Sequence, residues 1–184
     1  DTVHSRSVFR YNETSGIHSL DPAFARNQST MWAVHQLYNT LVEVDEYLQI
    51  VPSLAKSWEI ADSGRTIIFR LRTDVFFHNS DIFPGGKGRK LVAEDVVYSF
   101  QRLIQPETAS PGAWIFNTRV AVQEPFKAVN DSTFRLRLNE PFLPILGVLS
   151  MKYCSIVPRE AVQTYGAAFR QHPVGTGPFR MVHW

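Results

Sequence analysis

Five short motifs follow one another in a fixed order along this chain, and each is a piece of local backbone structure. They are Ser-Leu-Asp-Pro at 19–22, Pro-Ser-Leu-Ala-Lys-Ser-Trp-Glu at 52–59, an alternating strand at 66–72, Ala-Glu-Asp-Val-Val-Tyr-Ser-Phe at 93–100 and Pro-Val-Gly-Thr-Gly-Pro-Phe at 173–179. Turns, acidic helix starts and alternating strands all restrict the backbone. None of the five contains a nucleophile beside a base or a cluster of metal ligands. The series therefore constrains architecture before chemistry.

The composition is that of a globular protein with little net charge. The chain has 184 residues, of which 44% are hydrophobic and 20% charged, which suits one domain with its own core and argues against disorder. The 19 Lys and Arg and 17 Asp and Glu give a formal charge of +2, too balanced to argue for a nucleic-acid partner. The longest apolar stretch, 142–151, is interrupted by Pro144 and Gly147 and is far too short to span a membrane.

Cys154 is the only cysteine, so no intrachain disulfide can form. Its apolar neighbours predict a small buried side chain and not a reactive thiol. The sequence opens on a short polar segment and shows no signal peptide. If the protein is exported, we expect its signal to have been removed or left out of this sequence.

Three segments have the pattern of helices. An N-cap oxygen from Ser29 or Thr30, followed by apolar residues at helical spacing, predicts a helix that runs to about Glu43. Residues 94–104 carry one apolar stripe with acidic residues in the first turn, which predicts the clearest helix of the chain. A third helix is predicted at 158–166.

The strand pattern occurs three times. Residues 66–72 and 133–138 share the sequence Phe-Arg-Leu-Arg, and both follow turn residues, so we expect two antiparallel strands with arginine on the solvent side. A shorter strand is predicted at 8–11. Pro52 is expected to fix a turn leading to Trp58, which we interpret as a core anchor.

Two glycine-rich segments look like nucleotide-binding loops but lack the required spacing. Residues 84–90 do not match a phosphate-binding loop, and a flexible basic surface loop is expected there. Residues 175–177 precede Pro178, which has no backbone N–H, and Phe179 is predicted to begin a strand. The irregular mixture of helices and strands favours a mixed α/β or α+β fold over a doubly wound one.

The sequence contains no recognisable catalytic constellation. The six histidines show no metal-ligand spacing, and His35 is expected to be a partly buried polar residue of the first helix. The acidic pair Glu94 and Asp95 is explained by its position at a helix start. We therefore expect neither an enzyme nor a bound cofactor or metal.

The five motifs, in this order, resemble the N-terminal part of family 5 solute-binding proteins, the extracytoplasmic receptors of oligopeptide, dipeptide and nickel ABC transporters. The resemblance spans nearly the whole chain. It implies a type II periplasmic-binding-protein fold in which two lobes close over a ligand. Residues 1–45 would form part of the main-lobe sheet, 46–172 an inserted subdomain and 173–184 the return to the main sheet. The second lobe would be absent, so the chain resembles an N-terminal fragment.

The resemblance also implies where a ligand would bind. In peptide-binding members the segment after Leu-Asp-Pro bonds to the peptide main chain as an added strand would. The matching residues are Ala25, Arg26, Asn27, Gln28 and Ser29, although a loop that feeds a helix cap is an equally good interpretation.

Two positions depart from the family pattern. Val92 stands where a capping Thr is usual, so a poorly capped helix start is expected. Gly112 follows Thr-Ala-Ser-Pro where an aromatic ligand contact is usual. Either the pocket is larger there, or Trp114 supplies the contact.

The leading functional hypothesis is a receptor, monomeric at full length, that binds peptides and passes them to the permease subunits of an ABC importer. It would be located in the periplasm or on the outer face of the bacterial cytoplasmic membrane, with a lipid anchor left open. The alternatives are a receptor for nickel, a metal chelate or a sugar, and a sensing domain of a larger enzyme or regulator. The isolated chain is expected to bind ligand poorly because half of the cleft would be missing.

Overall fold

The computed structural model describes residues 16–184, so the predicted strand at 8–11 lies outside the described residues. The helices are α1 (Gln28–Leu37), α2 (Ala93–Ile104), α3 (Ile145–Leu149) and α4 (Arg159–Tyr165). The strands are β1 (Val42–Val44), β2 (Ile50–Pro52), β3 (Ala55–Ala61), β4 (Thr66–Leu71), β5 (Phe126–Asn130) and β6 (Thr133–Arg137). This is the mixed α/β organisation that the sequence predicts. Within the described range, no helix combines the length and apolarity needed to cross a membrane.

The larger of the two sheets has four antiparallel strands in the order β3-β4-β6-β5. The two Phe-Arg-Leu-Arg strands, β4 and β6, lie side by side, with Phe69 opposite Phe134. Both phenylalanines are fully buried, so the predicted antiparallel pair is confirmed. Trp58 on β3 is partly buried against the core, and Pro52 ends β2 directly before a bend.

Helix α2 covers the buried face of this sheet. Its residue Phe100 is fully buried, and its ring centroid lies 4.9 Å from that of Phe116, 5.6 Å from that of Phe126 and 5.5 Å from that of Phe134. The tilted and edge-to-face geometries are those that aromatic rings prefer. The predicted helix at 94–104 is confirmed, and its apolar stripe joins the helix to the sheet.

The predicted first helix has both ends misplaced. Its N-cap is Asn27 and not Ser29 or Thr30, which lie inside the helix, and α1 ends at Leu37 instead of about residue 43. Tyr38 has an extended backbone, and Val42 and Val44 pair with β2 in a hairpin. Asp45 closes that hairpin by accepting hydrogen bonds from the N–H groups of Tyr47 and Gln49. The apolar residues after residue 37 belong to a strand, although their spacing also fits a helix.

The glycine-rich segment 175–179 also differs from its prediction. Phe179 begins no strand, and residues 178–184 contain no regular element. Instead, Gly177 donates to the carbonyl of Leu37 at 2.9 Å, and Phe179 donates to that of Gln36 at 3.0 Å. These bonds satisfy carbonyls at the end of α1 that have no partner within the helix.

The start of α2 lacks a side-chain N-cap, as Val92 predicts. Asp95 partly compensates, since its carboxylate accepts the backbone N–H of Val92 at 2.9 Å. This is one half of a capping box.

The segment 84–90 is not simply a free basic loop, because Arg89 joins two helices. Its guanidinium donates two hydrogen bonds to Asp95 of α2, at 2.7 and 2.9 Å, and two to Glu160 of α4, at 2.6 and 2.8 Å. The same group lies 5.2 Å from the ring centroid of Phe77. The arginine that resembles a phosphate ligand in the sequence is therefore already paired within the fold.

This cluster predicts a stability change at acid pH. Hydrogen bonds from Arg89 hold the pKa of Glu160 below its ordinary value of 4.5. A carboxylate with a lowered folded-state pKa stabilises the protein above the unfolded-state value, and the contribution disappears as the pH falls through the folded-state value. We expect Glu160→Gln to lose less stability than the wild type between about pH 5 and about pH 3, measured by urea unfolding.

Glu59→Gln is the matched control, since this glutamate is exposed on β3 and forms no ion pair within residues 16–184. Its variant should keep the wild-type acid slope. Identical slopes for wild type and Glu160→Gln would contradict the prediction.

Candidate ligand-binding site

The Leu-Asp-Pro motif builds a tight turn in front of α1. Asp21 accepts the backbone N–H of Ala23 at 3.0 Å and so caps the 3-10 turn Pro22–Phe24. The same carboxylate receives two hydrogen bonds from Arg102 near the end of α2, at 2.8 and 2.5 Å. Only 5% of the Asp21 side chain and 11% of the Arg102 side chain are exposed. Burial, the largest single effect, lowers the pKa of Arg102, but the hydrogen bonds and negative charge of Asp21, with smaller effects of Tyr98 and Tyr38, together raise it.

The predicted ligand segment 25–29 follows this turn. Ala25 and Ser29 are buried, whereas Arg26, Asn27 and Gln28 are exposed. Asn27 caps α1, because its side-chain oxygen accepts the N–H of Thr30 at 3.0 Å. The helix-cap interpretation of this segment is therefore confirmed, and it leaves room for a ligand.

Several backbone groups of the same segment remain unpaired. Among the described residues, the carbonyl of Arg26 and the N–H groups of Asn27 and Gln28 have no hydrogen-bond partner. Asn27 is also extended, with φ −113° and ψ 163°. An extended backbone with free donors and a free acceptor is what an added peptide strand requires.

A cavity of about 540 Å³ opens beside this segment. Its walls come from the segment, from α1, from the β1 strand and from the turn that follows α3, and they consist of Ala25, Gln28, Met31, Trp32, His35, Glu43, Val44, Ser150, Met151, Lys152 and Tyr153. Half of the Trp32 surface is exposed. The volume and the mixture of apolar walls with a few polar groups are typical of small-ligand sites.

Besides the Tyr153 phenol, the ionisable groups Lys152, Glu43 and His35 line this cavity. The Lys152 ammonium lies 3.8 Å from the Glu43 carboxylate, and 18% of the lysine side chain is exposed. Burial lowers the pKa of Lys152, with Glu43 acting in the opposite direction. Burial, followed by the charge of Lys152, lowers the pKa of His35. Its Nδ1 atom is buried without a hydrogen-bond partner in the described part of the chain.

The remaining predicted site residues lie elsewhere or act indirectly. Gly112 is buried, and a Cβ atom there would lie 2.6 Å from Cγ of Tyr153. Because the Tyr153 ring fills the space next to Gly112, the absence of a side chain there does not by itself enlarge a pocket. Trp114 is 47% exposed and does not line the cavity beside Ala25.

Two of the histidines and the cysteine serve local structure. Within residues 16–184 no group of three or more His, Cys, Asp or Glu could hold a metal ion. His78 places Nε2 2.8 Å from the carbonyl of Gly177, and His172 stacks on Tyr165. Cys154 is fully buried, and burial raises the pKa of its thiol. The prediction of a buried cysteine is confirmed.

Sequence reasoning missed most of the cavity wall. Met31, Glu43, Lys152 and Tyr153 are separated by as much as 122 positions in the chain, and only tertiary packing brings them together. The aromatic ring of Tyr153, directly before Cys154, is the one sequence feature that could have indicated a residue of the cavity wall.

Known proteins are similar to this chain over most of its length. The sequence model described as "Bacterial extracellular solute-binding proteins, family 5 Middle" matches residues 49–184. Heme-binding protein A of Haemophilus influenzae is 36% identical over 162 residues, which are 81% of this chain and 29% of that protein. The peptide transport periplasmic protein SapA of Salmonella typhimurium is 34% identical over 159 residues, which are 79% of this chain and 29% of that protein.

A solved structure extends the comparison. The periplasmic binding protein DppA from Helicobacter pylori, in complex with the peptide STSA, has a TM-score of 0.76 and 31% identity to this chain. The match covers 90% of this chain and 35% of that one.

The fold is that of a periplasmic binding protein. The chain belongs to family 5 of the bacterial extracellular solute-binding proteins. It spans about 29% of the length of these curated relatives.

Proposed function

We propose that the receptor containing this chain binds short peptides and delivers them to the permease subunits of an ABC importer. The unpaired backbone groups at residues 26–28, next to a cavity of about 540 Å³, are the observation that carries this proposal. A peptide main chain would bond to these groups, while one of its side chains or its terminus enters the cavity. This mode tolerates different peptide sequences because it depends on main-chain atoms.

Family membership supports a binding role, and we assign no catalytic step to the chain. The periplasm, or the outer face of the cytoplasmic membrane, is the location that fits such a receptor. We further propose that the full-length protein is a monomer and that a second lobe, beyond these residues, completes the cleft.

Isothermal titration calorimetry of the full-length receptor tests the proposal. Pools of dipeptides, tripeptides and tetrapeptides should give saturable heat, whereas heme, a nickel–histidine chelate and a sugar pool should not. Binding of one of those three, with no heat from any peptide pool, would overturn peptide specificity. The 184-residue chain alone should bind peptides much more weakly than the full-length protein, since closure of two lobes would be lost.

The backbone contact itself can be tested with Gln28→Pro. Gln28 is the first residue of α1, where proline is tolerated, and the extended Asn27 before it suits a following proline. We expect the free energy of unfolding to change by less than about 0.5 kcal/mol. Peptide affinity should fall by roughly three- to tenfold, because one N–H donor to the ligand is removed.

Gln28→Ala is the matched control, as it removes the same side chain and keeps the N–H. Urea unfolding and calorimetry on both variants provide the comparison. Equal affinities of the two variants would show that the Gln28 N–H does not bind the peptide.

A further inference from the structure

The cavity beside residues 25–29 combines apolar walls with a largely buried ammonium group, that of Lys152. Met31, Trp32, Met151 and Tyr153 provide thioether and aromatic surface. Such walls would pack against the apolar part of a ligand. The polar groups between these side chains decide which chemical group of a ligand can bind in the cavity.

One cation, Lys152, and one anion, Glu43, line the cavity. Lys152 lies 3.8 Å from Glu43, which is too long for a hydrogen bond, and the ammonium donates no hydrogen bond to any residue in the range 16–184. Arg26 is exposed and, within the same range, takes part in no ion pair. Its charge reaches the cavity wall, because it lowers the pKa of Tyr153 against the larger, raising effect of burial. Arg26 does not itself line the cavity, so the Lys152 ammonium is the cation that a ligand in the cavity would meet.

A largely buried ammonium without a hydrogen bond is unfavourable, because the charge loses its hydration and gains only the attraction of Glu43 at 3.8 Å. A negatively charged ligand oxygen would supply the hydrogen-bond acceptor that the Lys152 ammonium lacks. His35 adds a further polar atom on the same wall, since its buried Nδ1 has no partner in the described structure. A cationic ligand group would be repelled, and a purely apolar one would leave the ammonium unpaired.

We propose that this cavity is a carboxylate pocket in which Lys152 binds a ligand carboxylate while the neighbouring aromatic and thioether side chains pack against the apolar part of the ligand. The proposal rests on the peptide-receptor function given above. A peptide offers such a carboxylate at its C-terminus or on a Glu or Asp side chain. Lys152 is thereby a specificity-determining residue.

Two pairs of tripeptides separate these sources in calorimetric titrations of the full-length receptor. Ala-Ala-Phe with a free C-terminus is compared with its C-terminal amide, and Ala-Glu-Ala is compared with Ala-Gln-Ala. The wild type should bind the acidic member of one pair about tenfold more tightly, because a hydrogen bond to a charged group is lost in the other member. The pair that shows this preference identifies the source of the carboxylate.

Lys152→Gln should abolish the preference, because it should lower the affinity for the acidic tripeptide and leave the affinity for the neutral one unchanged. Lys127→Gln is the matched control, since Lys127 lies on β5, does not line the cavity and pairs with Glu124. Its variant should keep the wild-type preference. A loss of affinity that is equal for both members of the pair would assign Lys152 a structural role and overturn the proposal.

Glu43→Gln provides a second, opposite test that does not depend on the folding of Lys152→Gln. Removing the one anion near Lys152 should strengthen binding of the acidic tripeptide severalfold, and unchanged affinity would count against the pocket. If the wild type binds all four peptides without preference, the carboxylate pocket is wrong and the receptor function stands. If it binds no peptide, the receptor function itself fails.

Discussion

Replacement of Asp21 by alanine is expected to lower the free energy of unfolding by about 3–5 kcal/mol. The substitution leaves the Arg102 guanidinium, 11% exposed, without its bidentate partner. A buried charge with no counterion is among the largest single-residue destabilisations known. The turn at Pro22–Phe24 would also lose its cap from Asp21. Urea unfolding monitored by tryptophan fluorescence measures the change.

Two comparisons separate the causes. Asp21→Asn keeps a side-chain oxygen that can cap the turn and removes only the charge, so it should destabilise less than Asp21→Ala. Asp74→Ala breaks an ion pair with Arg72 in which both side chains are about half or more exposed, and it should change stability little. Equal effects of Asp21→Ala and Asp74→Ala would contradict the importance of the buried pair.

Replacement of Gly175 by alanine should destabilise the protein by about 3 kcal/mol. An added Cβ would lie 2.0 Å from the carbonyl oxygen of Leu37, and this backbone atom cannot turn away as a side chain can. The clash would separate residues 175–179 from the end of α1 and break the bond from the Gly177 N–H to Leu37. Thermal unfolding should show a lowered midpoint, with urea unfolding giving the free energy.

Gly147→Ala is the matched control. Gly147 lies within α3, where a Cβ would meet nothing closer than 3.9 Å. Alanine favours helix more than glycine, so this variant should be neutral or slightly more stable. If Gly175→Ala were tolerated as well as Gly147→Ala, the close approach at Leu37 would be wrong.

The elements with strong local patterns were predictable from sequence. The alternation in β4 and β6 has the two-residue period of a strand, and the apolar stripe of α2 has the period of a helix. The local sequence therefore predicts both the element and its buried face. Prediction failed where local order was ambiguous. The apolar residues from Met31 to Val42 fit helical spacing throughout, and only the pairing of β1 with β2 ends α1 at Leu37.

The candidate site was only partly predictable. Residues 25–29 were identified through resemblance, and Asn27 performs the helix capping that its residue type favours. Lys152 and Glu43 gave no signal, because a lysine and a glutamate that are far apart in sequence look like ordinary surface charges. At Gly112 the sequence indicated that an aromatic ligand contact was missing, but in the structure the Tyr153 ring occupies the space next to this glycine.

The sequence by itself determined the order of the turns, the two central strands of the four-stranded sheet and the helix that covers it, and with them the family. These features depend on periodicity and on residues with restricted backbones, which act over a few positions. Only the tertiary structure decided where α1 stops, why Gly175 must be glycine, and which charged groups meet around the cavity. Those features depend on contacts between distant residues, and side-chain packing and electrostatic pairing are set by distance in space.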